Sequence, residues 1–152
     1  MKIQNYKNIF KYIAIIKTLL IISGAAYSQT LLTCDSPKGK GYYYPGPLVS
    51  KGNSGWGDDG ISSGSFALIK NKDKFDILYK DASGNMVSST ADGGYVVPLG
   101  HNLINYSFLV SYPNKTAELF TFNIREKKLS YSQHKYGSPM MDKRVLFVAN
   151  CL

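Results

Sequence analysis

Asn105-Tyr106-Ser107-Phe108-Leu109-Val110-Ser111-Tyr112 decides the fold class. Tyr106, Phe108, Val110 and Tyr112 recur at every second position, Ser107 and Ser111 fall between them, and Leu109 is the single exception. A helix repeats every 3.6 residues and a strand every two, so this stretch is a β-strand with one buried face. Pro113-Asn114 stops it, because proline cannot donate to a ladder and asparagine suits a turn.

The same grammar runs outward in both directions. Downstream, Ala117 to Asn123 and Lys128 to His134 form a hairpin across Ile124-Arg125-Glu126-Lys127, and Arg144 to Ala149 runs straight into Cys151. Upstream, strands are expected at Ser65 to Ile69, Phe75 to Lys80, Met86 to Thr90 and Tyr95 to Leu99. The turns between them are Asn71-Lys72-Asp73, Asp81-Ala82-Ser83-Gly84-Asn85 and Ala91-Asp92-Gly93-Gly94. Gly84 is free to take positive φ, Asp92 is expected to bond its own turn, and Pro98 marks an edge or a strand end. No segment keeps a helical period. Residues 33–64 are rich in Gly, Pro, Ser and Tyr, and the strands assigned by alternation begin after them. Tight connections make sequential strands antiparallel neighbours. The expectation is therefore an all-β chain of seven to eight strands, folded as a small antiparallel up-and-down barrel or a barrel-like sandwich whose closure removes its edges.

The N-terminus carries a different message. Lys2, Lys7, Lys11 and Lys17 precede Leu19-Leu20-Ile21-Ile22, and Ala25-Ala26-Tyr27-Ser28 ends the segment in small residues. Basic start, short apolar core and small-residue exit describe a secretory signal peptide over residues 1–28, leaving 29–152 as one secreted β domain. The apolar run falls short of the roughly 20 residues a membrane span requires, so no stable membrane anchor is expected after cleavage. Residues 1–28 hold four lysines and no acid, so the formal charge falls from +8 to +4 without them. Nucleic-acid binding asks for a clustered basic stripe, which is missing. The chain is expected to be periplasmic or secreted and a monomer, and no cofactor is implied.

Cys34 and Cys151 are the two cysteines. In an oxidising compartment two cysteines at opposite ends form one disulfide, here closing the barrel. With no C-x-x-C and no neighbouring His, a redox or metal role is not indicated.

Two stretches invite a functional reading. Asn53-Ser54-Gly55-Trp56-Gly57-Asp58-Asp59-Gly60 sets the one Trp among glycines beside two carboxylates. On a flexible loop, Trp56 could stack on a sugar or peptide while Asp58 and Asp59 accept hydrogen bonds. The same acids could hold calcium, although the spacing is not that of an EF-hand. Alternatively, Trp56 folds back to plug the barrel end and the Asp pair caps turns. In Tyr42-Tyr43-Tyr44-Pro45-Gly46-Pro47, strand geometry places Tyr42 and Tyr44 opposite to Tyr43, so one side packs and the other presents phenols. His101 and His134 are far apart, and no G-x-S-x-G occurs, so no catalytic residue is indicated. If Tyr106, Phe108, Val110 and Tyr112 line a filled interior they are core; a cavity beside them would point to a carried ligand.

Several phrases are similar to those of small exported bacterial proteins of unassigned function, of the alphaproteobacterial type. They include Gly55-Trp56, Asp59-Gly60-Ile61-Ser62, Lys80-Asp81-Ala82-Ser83-Gly84 and Ser89-Thr90-Ala91-Asp92-Gly93-Gly94. Ala117-Glu118-Leu119-Phe120-Thr121-Phe122, Lys135-Tyr136-Gly137-Ser138-Pro139 and Leu146-Phe147-Val148-Ala149-Asn150-Cys151 complete the set. The resemblance implies export and a single domain, and carries over no catalytic residue. The functional expectation is non-catalytic binding of a protein, a glycan or a small apolar ligand. The alternative is an inhibitor of an envelope hydrolase, with a small hydrolase behind it.

Overall fold

The computed structural model describes residues 28–137 and 140–152. The expected signal segment lies outside them, apart from Ser28, the first residue of β1. Ten strands follow: β1 (Ser28–Tyr43), β2 (Gly55–Gly60), β3 (Ser65–Asn71), β4 (Lys74–Lys80), β5 (Met86–Ser88), β6 (Tyr95–His101), β7 (Asn105–Tyr112), β8 (Thr116–Asn123), β9 (Lys128–Lys135) and β10 (Lys143–Cys151). All pairings are antiparallel, in the order β5-β4-β3-β1-β10-β9-β8-β7-β6, with β2 added to β1. The fold is an all-β half-barrel.

The eight strands expected from alternation are present, with bounds shifted by a residue or two. The two additional ones, β1 and β2, fall mostly in the Gly-, Pro-, Ser- and Tyr-rich stretch over 33–64, ahead of the first strand assigned from the sequence. Glycine in a strand marks close backbone approach, and β1 uses it so: a Cβ on Gly39 would overlap the Leu146 carbonyl oxygen on β10. β1 is also divided. Ser28 to Asp35 pair with β3, Lys38 to Tyr43 pair with β2 on the same edge, and β10 lies along the other edge. The change of partner falls at Ser36-Pro37. Ser36 sits at φ 50°, its N–H donates to the Gly64 carbonyl and its Oγ to the Ser62 carbonyl, while Ile61 N–H donates to the Pro37 carbonyl. A bulge of this kind turns a strand and re-aims its edge.

The expected closed ring is corrected to an open one, because no ladder joins β5 to β6. Two local causes are visible. β5 stops after three residues, where Asp76 on β4 binds Ser88 Oγ and takes the N–H and Oγ1 of Thr90. β6 carries Pro98, which has no N–H, and a register shift between Pro98 and Gly100. Side chains bridge the seam instead. The Phe75 ring on β4 lies 5.3 Å from Phe108 and 5.7 Å from Tyr106, both on β7.

The concave face is the core. Leu32, Phe66, Leu68, Ile77, Phe108, Val110, Phe120, Phe122, Leu129, Tyr131, Val145 and Phe147 form one buried cluster. Phe120 and Phe122 stack at 6.2 Å, and Tyr131 lies 4.7 Å from Phe120. Cys34 and Cys151 are register partners on β1 and β10 and form the disulfide. Thr33 and Leu152 exchange backbone hydrogen bonds beside them, so the cysteines occupy the non-hydrogen-bonded pair, where facing side chains stand closest. Gly84 takes φ 88° as expected. The Asp92 N–H donates to the Ser88 carbonyl, but its carboxylate reaches outside the turn and accepts the Tyr79 hydroxyl at 2.7 Å.

Candidate functional site

The outer corner of the sheet collects the aromatic residues singled out in the sequence. Trp56 is not on a loop, nor does it plug the barrel end. It sits in β2, is 74% exposed, and is the register partner of Tyr42. Their rings meet edge to face at 5.5 Å, and Tyr44 adds a third ring 5.0 Å from Tyr42. Arg144 lies over Tyr44 at 5.3 Å and is fixed by donating to the Lys135 and Lys143 carbonyls. Edge-to-face aromatics and a guanidinium over a ring hold side chains in place without burying them.

The strand period separates the two carboxylates. Asp58 faces out and pairs with Lys40 at 2.6 Å, with both side chains exposed. Asp59 faces in and pairs with Lys143 at 3.1 Å, where both side chains are nearly covered. Burial pushes the Asp59 carboxyl up. The Tyr43 hydroxyl, the Lys143 ammonium and the Gly60 N–H outweigh it and hold the carboxyl below its ordinary value. For the same pair, burial first and the Asp59 carboxylate second push the Tyr43 hydroxyl up to about 12. The calcium reading needs both acids converging on one point, and they do not. Among the described residues no group of three His, Cys, Asp or Glu side chains is placed to hold a metal.

From this corner an apolar row crosses the outer face. Register aligns Val97 on β6 with Leu109, Leu119, Ser132, Leu146 and then Lys40. Val97, Leu119 and Leu146 are exposed, Leu146 to 60%. The neighbouring row runs from the exposed Tyr95 through Ser111, Ala117, His134 and Arg144 to Tyr42 and Trp56. Leu109, the one break in the alternation of β7, belongs to this outer row. The two histidines stay apart: His134 lies in that row, whereas His101 on β6 stacks on Tyr106 at 5.6 Å.

A second feature lies on the inner face, and its carboxylate, Glu118, escaped the sequence reading. The interior is filled around Phe108 and Val110, but beside Tyr112 there is a cavity of about 310 Å³. It is lined by Phe66, Tyr79, Tyr112, Tyr131, Gln133 and Glu118, with Lys80, Asp92 and Lys115 also on its walls. Glu118 projects inward from β8 on the same face as Phe120 and Phe122. Tyr131 Oη donates to Glu118 Oε1 at 3.0 Å and Gln133 Nε2 to the same oxygen at 2.7 Å. Burial raises the Glu118 carboxyl above its ordinary value, against those two hydrogen bonds. The available signal was a carboxylate at a core-facing position of a strand, a place where charge is rare unless paired or functional.

No family model, curated protein or solved structure matches this chain.

Proposed function

We propose that the protein is an exported, non-catalytic binding module that docks a protein partner on the outer face of its half-barrel. The observation that carries this reading is the apolar row of Val97, Leu109, Leu119 and Leu146, which ends beside the Trp56–Tyr42–Tyr44 corner. Ser132 is the one polar residue within the row, between Leu119 and Leu146; a monomeric soluble protein rarely leaves a large apolar patch uncovered, and such patches mark interaction faces. Aliphatic side chains offer a sugar no stacking platform, so the extended strip favours a protein over a glycan. Trp, Tyr and Arg at one corner are the residue types that anchor protein interfaces. The disulfide is compatible with an oxidising, exported location, and the basic, then apolar, then small-residue sequence of positions 1–28 supports the same destination.

The envelope-hydrolase inhibitor stands second. It needs a free acidic pair to enter a basic cleft, yet Asp58 is paired with Lys40 and Asp59 is turned inward to Lys143.

Site-specific photo-crosslinking in exported material tests the proposal. A benzophenone side chain at Leu146 or Trp56 is expected to give a discrete adduct that Leu119→Lys abolishes. The same label at Lys72, on the β3–β4 turn, is expected to give none. Equal labelling at all three positions, or none anywhere, would remove the docking face. An adduct of twice the chain mass would make the occupant a second copy.

A further inference from the structure

We infer that the cavity beside Tyr112 is a binding site for a small organic ammonium, with Glu118 as its counter-charge and the surrounding rings as its walls. The site is independent of the docking face, because Glu118 points into the half-barrel and its neighbour Leu119 points out.

The chemistry of the lining leads to this ligand class. About 310 Å³ is at the lower end of small-molecule pockets. Four aromatic side chains, Phe66, Tyr79, Tyr112 and Tyr131, line its walls while one side stays open to solvent, and ring faces attract cations. Two of them are held in place: Tyr79 by its bond to Asp92, and Tyr131 by its bond to Glu118 and its packing on Phe66 and Phe120. Gly94 leaves room for Tyr112, since a Cβ there would come within 3.0 Å of its ring. The rim charges are Lys80, Lys115 and Asp92, all exposed, and exposed charges act weakly.

Glu118 is different. Both of its donors converge on Oε1, and among the described residues no side chain donates to Oε2. A largely desolvated carboxylate facing a cavity gains most from a donor that also carries positive charge. An ammonium supplies both, while its organic body covers the rings. A neutral alcohol of the same shape supplies neither charge nor comparable attraction, and a carboxylate would be repelled.

The experiment titrates 2-phenylethylammonium chloride and, separately, 2-phenylethanol into the purified disulfide-bonded protein by calorimetry near pH 7.5. Saturable one-to-one binding of the ammonium is expected, with the alcohol at least about tenfold weaker. Glu118→Gln keeps the shape and removes the charge; it is expected to cost the ammonium about tenfold or more and to leave the alcohol unchanged. Trp56→Ala is expected to change neither.

Wild-type protein gives a second readout that does not depend on the variant folding. Glu118 must be ionised to hold the cation, so affinity falls as the pH is lowered through its raised value; the other charged and titratable groups facing the cavity are Asp92, Lys80 and Lys115 at the rim and Tyr79, Tyr112 and Tyr131 inside. Failure of the ammonium to bind, equal affinity for ammonium and alcohol, an unaffected Glu118→Gln variant, or binding that does not weaken on acidification would each overturn the inference. The photo-crosslinking result at Leu146 and Trp56 is unaffected by any of these outcomes, so the two readings fail separately.

Discussion

Asp59 shows how one residue ties the first hairpin to the last strand. It lies on β2, and its carboxylate accepts from Lys143 on β10 and Tyr43 on β1. Its carboxyl is held below the ordinary value. A group depressed in the folded state binds more protons when unfolded, so its contribution is fully present above about pH 4 and is lost as the pH falls through the depressed folded value. Asp59→Asn is therefore expected to lower stability at pH 7 by about 1.5–3 kcal/mol, the range for a hydrogen bond to a charged partner. The gap to wild type should close on acidification. Urea unfolding at a series of pH values measures it, and a gap that persists unchanged into strong acid would mean the carboxylate charge is irrelevant. The neighbouring Asp58–Lys40 pair is exposed on both sides, so Asp58→Asn is expected to change stability little.

At the scale of elements, β1 is where sequence and structure part. The strands from β3 onward were legible because alternation and turn residues agree there, and β7 to β10 follow that pattern almost residue for residue. β1 and β2 were not, because Gly39, Gly41, Gly55, Gly57 and Gly60 read as turn signals when taken locally. For Gly39 the reason is non-local: the backbone of β10 lies against it, and only the assembled sheet reveals that. The aromatic corner was half legible. The alternation of Tyr42, Tyr43 and Tyr44 was readable, but the pairing of Tyr42 with Trp56 is a register and is carried by neither stretch alone. Glu118 was missed because a single acid inside an apolar strand looks like a solvent-facing residue until its parity with Phe120 and Phe122 is counted. The glycines separate two roles by experiment. Gly39→Ala must displace backbone and is expected to cost about 1–3 kcal/mol, as overpacking does. Gly57→Ala in β2 meets nothing within 4 Å and is expected to be neutral within about 0.5 kcal/mol. Thermal melts of the two variants side by side decide it, and equal costs would refute the close-approach account of β1.

The whole molecule has two joins of different kinds. On one side β1 and β10 run together through an extended ladder that includes the Cys34–Cys151 bridge, with 117 residues between the cysteines. On the other, β4 and β5 face β6 and β7 with no ladder, held by Phe75 against Tyr106 and Phe108. A cross-link closing so long a loop acts mainly on the unfolded chain, whereas side-chain packing across a seam can open locally without global unfolding. Replacing both cysteines by serine is therefore expected to leave a folded β protein that is less stable by about 2–5 kcal/mol. Native-state hydrogen exchange distinguishes the two joins in that variant. Amides of β8, β9 and β10 exchange through global unfolding, so their protection should drop by the full loss of stability. Amides of β5 and β6 exchange through opening of the seam, so theirs should stay as in wild type until global unfolding overtakes them. Were β6 to lose protection in step with β10, the seam would be part of the same cooperative unit, and the half-barrel would behave as a closed one despite its missing ladder.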